Sequence, residues 1–144
     1  MIKNVHIFAI SNYKINKILI HKLLSFLKKE LKISINSLEL NFIEKEEIIL
    51  INKQYLGHNY STDILTFNYN KNNNSIDGEI FISVDDALEN SKKFKVSLSN
   101  ELYRLVIHGI LHLLGFDDRE KKDKKIMKVQ ENLLLNNFCK LLRK

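Results

Sequence analysis

Hydrophobic residues follow two different periods along this chain, and the changes of period divide it into strands and helices. Alternation of apolar and polar positions predicts half-buried strands. Apolar positions three and four residues apart predict amphipathic helices. The alternating segments are residues 2–10, 38–43, 62–69 and 79–84. The helical segments are residues 14–31, 44–55, 85–94, a long helix that begins near Ser97 and ends at Gly115, and residues 123–142.

The predicted order of elements, βαβαββααα, indicates an α+β fold in which about five helices pack on a small mixed four-stranded sheet. The polar residues 70–75 predict a turn that joins the third and fourth strands as an antiparallel hairpin. A chain of 144 residues is long enough for one core without disulfide staples. We therefore expect residues 1–144 to form a single domain.

Two helices near the end of the chain carry the features that matter most for function. On the long fourth helix, a broad apolar face predicts burial, and polar residues share another face: Glu101, Arg104, His108 and His112. On the last helix, the apolar residues expected to point inward are Ile126, Val129, Leu133, Leu134 and Phe138.

Composition excludes several classes of protein. No apolar run approaches the roughly 18–20 residues that a membrane span requires. Residues 1–10 do not resemble a secretory signal, and the single cysteine, Cys139, cannot form an internal disulfide. These observations predict a cytoplasmic protein without membrane contact. The sequence does not indicate an oligomeric state.

The net charge of +6 permits a partner rich in phosphate but does not demonstrate one. Lysine accounts for 20 of the basic residues and arginine for 3. Arginine is the preferred residue for bidentate phosphate recognition. The charge alone therefore carries little weight for nucleic-acid binding.

The strongest chemical signal is a pair of histidines four residues apart, His108 and His112, just before the end of the long helix. Residues at this spacing lie one above the other on a helical face and can approach one ion. Gly115 ends the helix, so the chain can turn back and bring a third ligand. Asp118 is the preferred third ligand, and Asp117 is the alternative. Three protein ligands with one open position are typical of a catalytic zinc site.

Other interpretations of the histidine pair are possible. Zinc peptidases carry His-Glu-x-x-His with the glutamate as general base, but the second position here is Gly109, so peptide hydrolysis fits poorly. Two histidines and a carboxylate also resemble a non-haem iron site. Nothing else in the sequence suggests an oxygenase. Two histidines that simply pack and hydrogen-bond near a helix end are the remaining alternative.

Four segments resemble the YbeY family of bacterial metal-dependent endoribonucleases. The segment from His108 to Asp117, His-Gly-Ile-Leu-His-Leu-Leu-Gly-Phe-Asp, is similar to the family signature His-Gly-x-Leu-His-Leu-x-Gly-Tyr/Phe-Asp-His. Residues 50–55 and 62–67 are similar to the family's Leu-Asn-x-x-Tyr and Thr-Asp-Val-Leu-Ser-Phe. Residues 78–82 are similar to its Gly-Asp-Ile-x-Ile. These segments keep the family order over about residues 50–120.

The resemblance implies a single-strand-specific endoribonuclease that acts in 16S rRNA 3′-end maturation, small-subunit assembly and ribosome quality control. It implies one Zn²⁺ per chain on His108, His112 and Asp118, which are also the expected catalytic residues. The implied partners are ribosomal RNA and components of the small ribosomal subunit. The alternatives are a non-catalytic, metal-stabilised ribosome assembly factor and a metal hydrolase of another substrate.

The sequence departs from the family pattern at two positions. Asp118 stands where the family has a third histidine, so an aspartate must serve as the ligand. Leu56 stands where many members carry an arginine after the tyrosine of Leu-Asn-x-x-Tyr. The candidates for a replacement cation are His58, Arg104, Arg119 and the cluster Lys121, Lys122, Lys124 and Lys125.

Overall fold

The structure, a computed structural model, describes residues 3–10, 13–70 and 74–144. Part of the predicted first strand (Ile2) and residues 71–73 of the predicted hairpin turn lie outside these ranges. The strands are β1 (Val5–Ile10), β2 (Ser34–Ile43), β3 (Ile64–Asn68) and β4 (Ser75–Ser83). The helices are α1 (Lys17–Leu31), α2 (Lys45–Leu56), α3 (Val84–Phe94), α4 (Leu98–Leu113) and α5 (Lys121–Leu142).

The four strands form one mixed sheet in the order β1-β2-β4-β3. β1 and β4 both run parallel to β2, and β3 pairs with β4 antiparallel. The antiparallel register places Ile64 opposite Ile82 and Asn68 opposite Gly78. The predicted α+β architecture of a mixed four-stranded sheet with about five helices is confirmed.

The alternation of side chains sends the strand residues into two separate hydrophobic clusters. On one face, β2 and β4 contribute residues such as Leu40 and Ile80 to the larger cluster, which includes residues of α1, α3, α4 and α5. On the opposite face, Ile43 and Leu65 pack with Ile48 of α2. Helices therefore cover both faces of the sheet, and α4 lies on the face with the larger core.

Two glycines let α4 lie unusually close to the β3–β4 pair. A Cβ atom on Gly109 would lie 2.9 Å from Ile80 Cδ1 and 3.1 Å from Ile64 Cδ1. A Cβ on Gly78 would lie 2.5 Å from the backbone oxygen of Phe67 and 3.1 Å from a methyl group of Leu113. Gly109 stands at the position where zinc peptidases have their glutamate. It faces the sheet, where a side chain would meet the core.

Two local expectations were wrong. β2 begins at Ser34 rather than at residue 38, because the polar residues at its start pair with β4 across a bulge between Ile35 and Ser37. On α5, Ile126, Val129 and Leu133 are exposed. The buried positions of α5 are Met127, Glu131, Leu134 and Phe138. A carboxylate occupies the middle of this stripe, so the apolar pattern alone indicated a different face.

Within the described ranges, no helix combines the length and apolar character that crossing a membrane requires.

Substitution Gly78→Ala should lower the free energy of unfolding by about 3 kcal/mol, because the added methyl group meets the backbone of β3, which cannot move aside without breaking the strand pair. Urea denaturation of the purified chain measures this loss. Gly57→Ala is the matched control: its backbone φ is +69° and nothing lies within 4 Å of the new Cβ. Only the conformational cost of about 1–2 kcal/mol then applies. A loss at Gly78 no larger than the loss at Gly57 would contradict the close approach.

Candidate functional site

His108 and His112 lie on the face of α4 that points away from the sheet. Their Nε2 atoms are 3.1 Å apart and their rings are inclined at 73°. The predicted sharing of one helical face is confirmed. Each histidine remains partly exposed, with 18% and 24% of its side chain accessible.

The turn after α4 brings an aspartate back to the two histidines. Gly115 has φ of 102°, the left-handed region that favours glycine. Its N–H donates to the carbonyl of His112, and Phe116 N–H donates to Leu111, which together form a Schellman helix end. The chain then reverses, and Asp118 Oδ2 lies 3.3 Å from His112 Nε2 and 3.7 Å from His108 Nε2.

Asp117 has a different role in the same turn. Its Oδ1 accepts hydrogen bonds from the backbone N–H groups of Asp118 and Arg119, at 2.8 and 3.2 Å. Its Oδ2 lies 3.4 Å from Arg119 Nε. Asp117 thus shapes the backbone that presents Asp118, and the structure brings Asp118 rather than Asp117 to the histidines.

The His–His–Asp site, defined as His108, His112 and Asp118, fits the requirements of a small divalent ion. One ligand atom from each residue lies within 4.8 Å of the other two. Tetrahedral zinc, with ligands at about 2.0–2.1 Å, needs ligand atoms about 3.3–3.4 Å apart. The three separations of 3.1, 3.3 and 3.7 Å bracket that value. The site could therefore hold a metal ion, as the sequence predicted.

Glu131 of α5 holds the His108 ring from the side opposite the other ligands. His108 Nδ1 is hydrogen-bonded to Glu131 Oε2. When Nδ1–H donates a hydrogen bond to this carboxylate, the neutral ring keeps the lone pair of Nε2 available for a metal. Glu131 is buried, so the contact is shielded from water. Histidines that bind metals in proteins commonly have one ring nitrogen hydrogen-bonded to a carboxylate and the other nitrogen free to bind the ion.

Arg104 neutralises two buried carboxylates at once. Its Nε and Nη2 donate to Glu101 at 2.8 and 2.6 Å, and its Nη1 donates to Glu131 at 3.0 Å. The hydrogen bonds to Glu101 raise the pKa of Arg104 further above its usual range. This ion-pair network ties α4 to α5 directly behind His108.

The network extends to the start of β3. Asn90 of α3 donates to Glu101 at 3.3 Å and to Asp63 at 3.1 Å. Burial raises the pKa of Asp63, and the positive charge of Arg104 partly opposes that shift. Asp63 belongs to the Thr-Asp-Ile-Leu segment that supported the family resemblance. Its position shows how that segment is connected to the histidines.

The electrostatic surroundings favour a cation at the His–His–Asp site. Asp63, Glu101, Glu131 and Asp118 contribute four carboxylates, against one guanidinium from Arg104. The carboxyl end of α4, where His112 lies, adds the partial negative charge of the helix dipole.

A cavity of about 450 Å³ opens beside the site between α4, α5 and the α3–α4 turn. His108 and Asp118 form one end of this α4–α5 cavity, and Lys124 and Lys128 also line it. Pockets that bind small ligands in proteins have volumes of roughly 300–1,000 Å³. A group of nucleotide size therefore has room next to the His–His–Asp site.

The candidate replacements for the family arginine fall in different places. Arg104 already pairs with two buried glutamates, and Arg119 is 87% exposed beside Asp117. His58 stacks on Tyr60 in the exposed loop before β3. Of the predicted lysine cluster, Lys124 lines the α4–α5 cavity.

Sequence reasoning missed Glu131 and Lys128. Glu131 stood out only as a charged residue inside the buried 127/131/134/138 stripe, a signal that requires the correct face of α5 to be known. Lys128 lies one turn after Lys124, so it shares a face with it, but nothing in the sequence marks that face as a cavity wall.

Comparisons with known proteins agree on one family. The model of the family Endoribonuclease YbeY matches residues 3–139. The chain is 48% identical to Endoribonuclease YbeY of Azobacteroides pseudotrichonymphae genomovar. CFP2 over 97 residues, which are 67% of this chain and 69% of that protein. It is 35% identical to Endoribonuclease YbeY of Cytophaga hutchinsonii over 113 residues, 78% of this chain and 79% of that protein.

A solved structure supports the fold over nearly the whole length. The solution structure of a Thermotoga maritima protein is similar with a TM-score of 0.68 and 29% sequence identity. The similarity covers 96% of this chain and 91% of that chain. The chain belongs to the Endoribonuclease YbeY family.

Proposed function

We propose that this chain is a zinc-dependent endoribonuclease that cleaves single-stranded RNA. Its role would lie in 16S rRNA 3′-end maturation, small-subunit assembly and ribosome quality control in the cytoplasm. Ribosomal RNA and small-subunit components would be its partners. The observation that supports the proposal best is the convergence of His108, His112 and Asp118 beside a cavity of nucleotide size. Membership of a family named for endoribonuclease activity gives the reaction class.

Each residue of the site has a separate role in the proposed reaction. The proposed metal ligands are His108, His112 and Asp118, and a bound zinc ion would supply a Lewis acid and a water of lowered pKa. Glu131 would fix the His108 ring with its Nε2 lone pair toward the ion. Arg104 would keep Glu131 in place by sharing its charge.

A second candidate is a non-catalytic ribosome assembly factor in which the metal stabilises the end of α4. The observation that favours it is Leu56, a half-exposed aliphatic side chain where many family members have an arginine. This candidate predicts ribosome association and metal-dependent stability without turnover.

The purified chain should cleave single-stranded RNA, and either a chelator or the substitution His112→Ala should reduce cleavage at least about 100-fold. Cleavage is measured by gel electrophoresis of an end-labelled oligonucleotide. The chelated sample is then reloaded with zinc, which should restore the rate. Equal cleavage in all samples would indicate a contaminating nuclease and would sink the proposal. Tight ribosome association without any turnover would favour the assembly factor.

Metal analysis of two isosteric variants tests the third ligand. Asp118→Asn should lose most of the bound zinc, because a neutral amide oxygen is a poor replacement for a carboxylate ligand. Asp117→Asn should keep about one zinc per chain, since its amide oxygen can still accept the two backbone hydrogen bonds of the turn. Zinc retained in Asp118→Asn but lost in Asp117→Asn would reverse the assignment.

Glu131→Gln should weaken zinc binding about 10- to 100-fold, because a neutral amide accepts a weaker hydrogen bond from His108 Nδ1 than a carboxylate does and can also turn its NH2 group toward the ring. Competition with a chromophoric chelator measures the dissociation constant. Glu120→Gln is the matched control: it removes the same charge two residues after Asp118, from an exposed side chain. Equal weakening in the two variants would mean that net charge, rather than the contact with His108, governs the affinity.

A further inference from the structure

We infer that the α4–α5 cavity binds one nucleotide of a single-stranded RNA, with its phosphate on Lys124 and Lys128 and its base against Phe94. This inference rests on the proposed function, because it places the substrate next to the His–His–Asp site. It assigns the contacts of the strand to α5 and the α3–α4 turn rather than to the loop that follows α2.

The positive charges of Lys124 and Lys128, which line the cavity, favour an anionic ligand. Lys124 and Lys128 lie four residues apart on α5, so both ammonium groups are on one face of the helix. Neither has an ion-pair partner among residues 3–10, 13–70 and 74–144. Glu101 and Glu131 also line the cavity, but both are engaged by Arg104. The two lysines are therefore the cations left to meet a phosphate.

The α3–α4 turn contributes an exposed aromatic ring to the cavity, that of Phe94, with Lys93 Nζ 5.6 Å from its centroid. Phe94 is 55% exposed and Val96 is 43% exposed, and both line the cavity. Between them Lys95 adopts a left-handed conformation that ends α3, and Val96 N–H donates to the carbonyl of Ser91. Both apolar side chains that flank this turn therefore lie at the surface. Stacking of bases on exposed aromatic rings is the usual sequence-tolerant way to hold single strands.

Polar groups of the cavity complete the requirements of a nucleotide. The amide side chains of Asn100 and Asn132 line the cavity and can hydrogen-bond to the edge of a base. His108 and Asp118 line the same cavity as the two lysines, so a phosphate held there would lie beside the proposed metal ligands. An apolar ligand would leave the lysines unused, and an acidic peptide would leave the aromatic ring unused.

Binding of a fluorescent single-stranded 2′-O-methyl RNA, whose integrity is checked by gel electrophoresis after each titration, tests the inference with the zinc-loaded full chain. The double variant Lys124→Gln/Lys128→Gln should weaken binding at least about tenfold and reduce the slope of log affinity against log salt by about 1.4, the loss of two phosphate contacts. The matched control is Lys122→Gln/Lys125→Gln, which removes the same charge from exposed positions of α5 outside the cavity. It should weaken binding no more than about threefold.

Phe94→Ala should weaken binding about tenfold without changing the salt slope, because stacking involves no counterion release. Phe8→Ala, which removes another exposed ring from β1, should have no effect. Zinc content is measured in every variant and should equal that of the parent chain.

The outcomes separate this inference from the proposed function. If the cavity variants bind RNA as well as their controls, the inference is overturned, whether or not the chain cleaves unmodified RNA. If binding depends on Lys124, Lys128 and Phe94 but unmodified RNA is not cleaved, the cavity assignment stands and the nuclease proposal fails. Displacement of the RNA by polyglutamate in a Phe94-dependent manner would indicate an acidic protein partner and would also overturn the inference.

Discussion

The contact on which the site depends is the ion-pair network that joins Arg104 to Glu101 and Glu131. A buried ion pair is weak support for net stability, because the cost of desolvating the charges can equal their attraction. Removing one partner of the pair strongly destabilises a protein, since it leaves a buried charge uncompensated. The network therefore acts mainly by fixing geometry: with Arg104 in place, Glu131 has one position, and His108 is held by it.

Helix α4 connects this network to the rest of the fold. One of its faces lies against β3 and β4, where Gly109 and Gly78 allow close packing. The other face carries the histidines. At its carboxyl end, Asn68 of β3 donates to the carbonyl of Leu113 at 3.3 Å. The depth of α4 in the core and the position of its last turn thus jointly set where His112 lies.

The sequence predicted the elements that have a clear hydrophobic period, together with the mixed sheet and the grouping of His108, His112 and Asp118. Local spacing was sufficient there, because a helix places residues i and i+4 together whatever the tertiary structure. The sequence favoured Asp118 over Asp117 but could not fix that choice, because it depends on the backbone of the turn after Gly115. Glu131 was hidden for a different reason. A buried carboxylate interrupts the apolar pattern of a helix. Its role can be recognised only when its partners, Arg104 and His108, are known to lie beside it.

The two departures from the family pattern can be understood together as a redistribution of charge. Relative to the family pattern that the sequence resembles, Asp118 in place of a histidine would add a negative charge to the proposed ligand set, and Leu56 in place of an arginine would remove a positive one. Both changes make the surroundings of the metal site less favourable for an RNA phosphate. Lys124 and Lys128, which line the cavity and are not part of the carboxylate network, add two positive charges beside the site. Compensation from α5 would give the chain a phosphate-binding surface although the last residue of α2 is Leu56 rather than a cation.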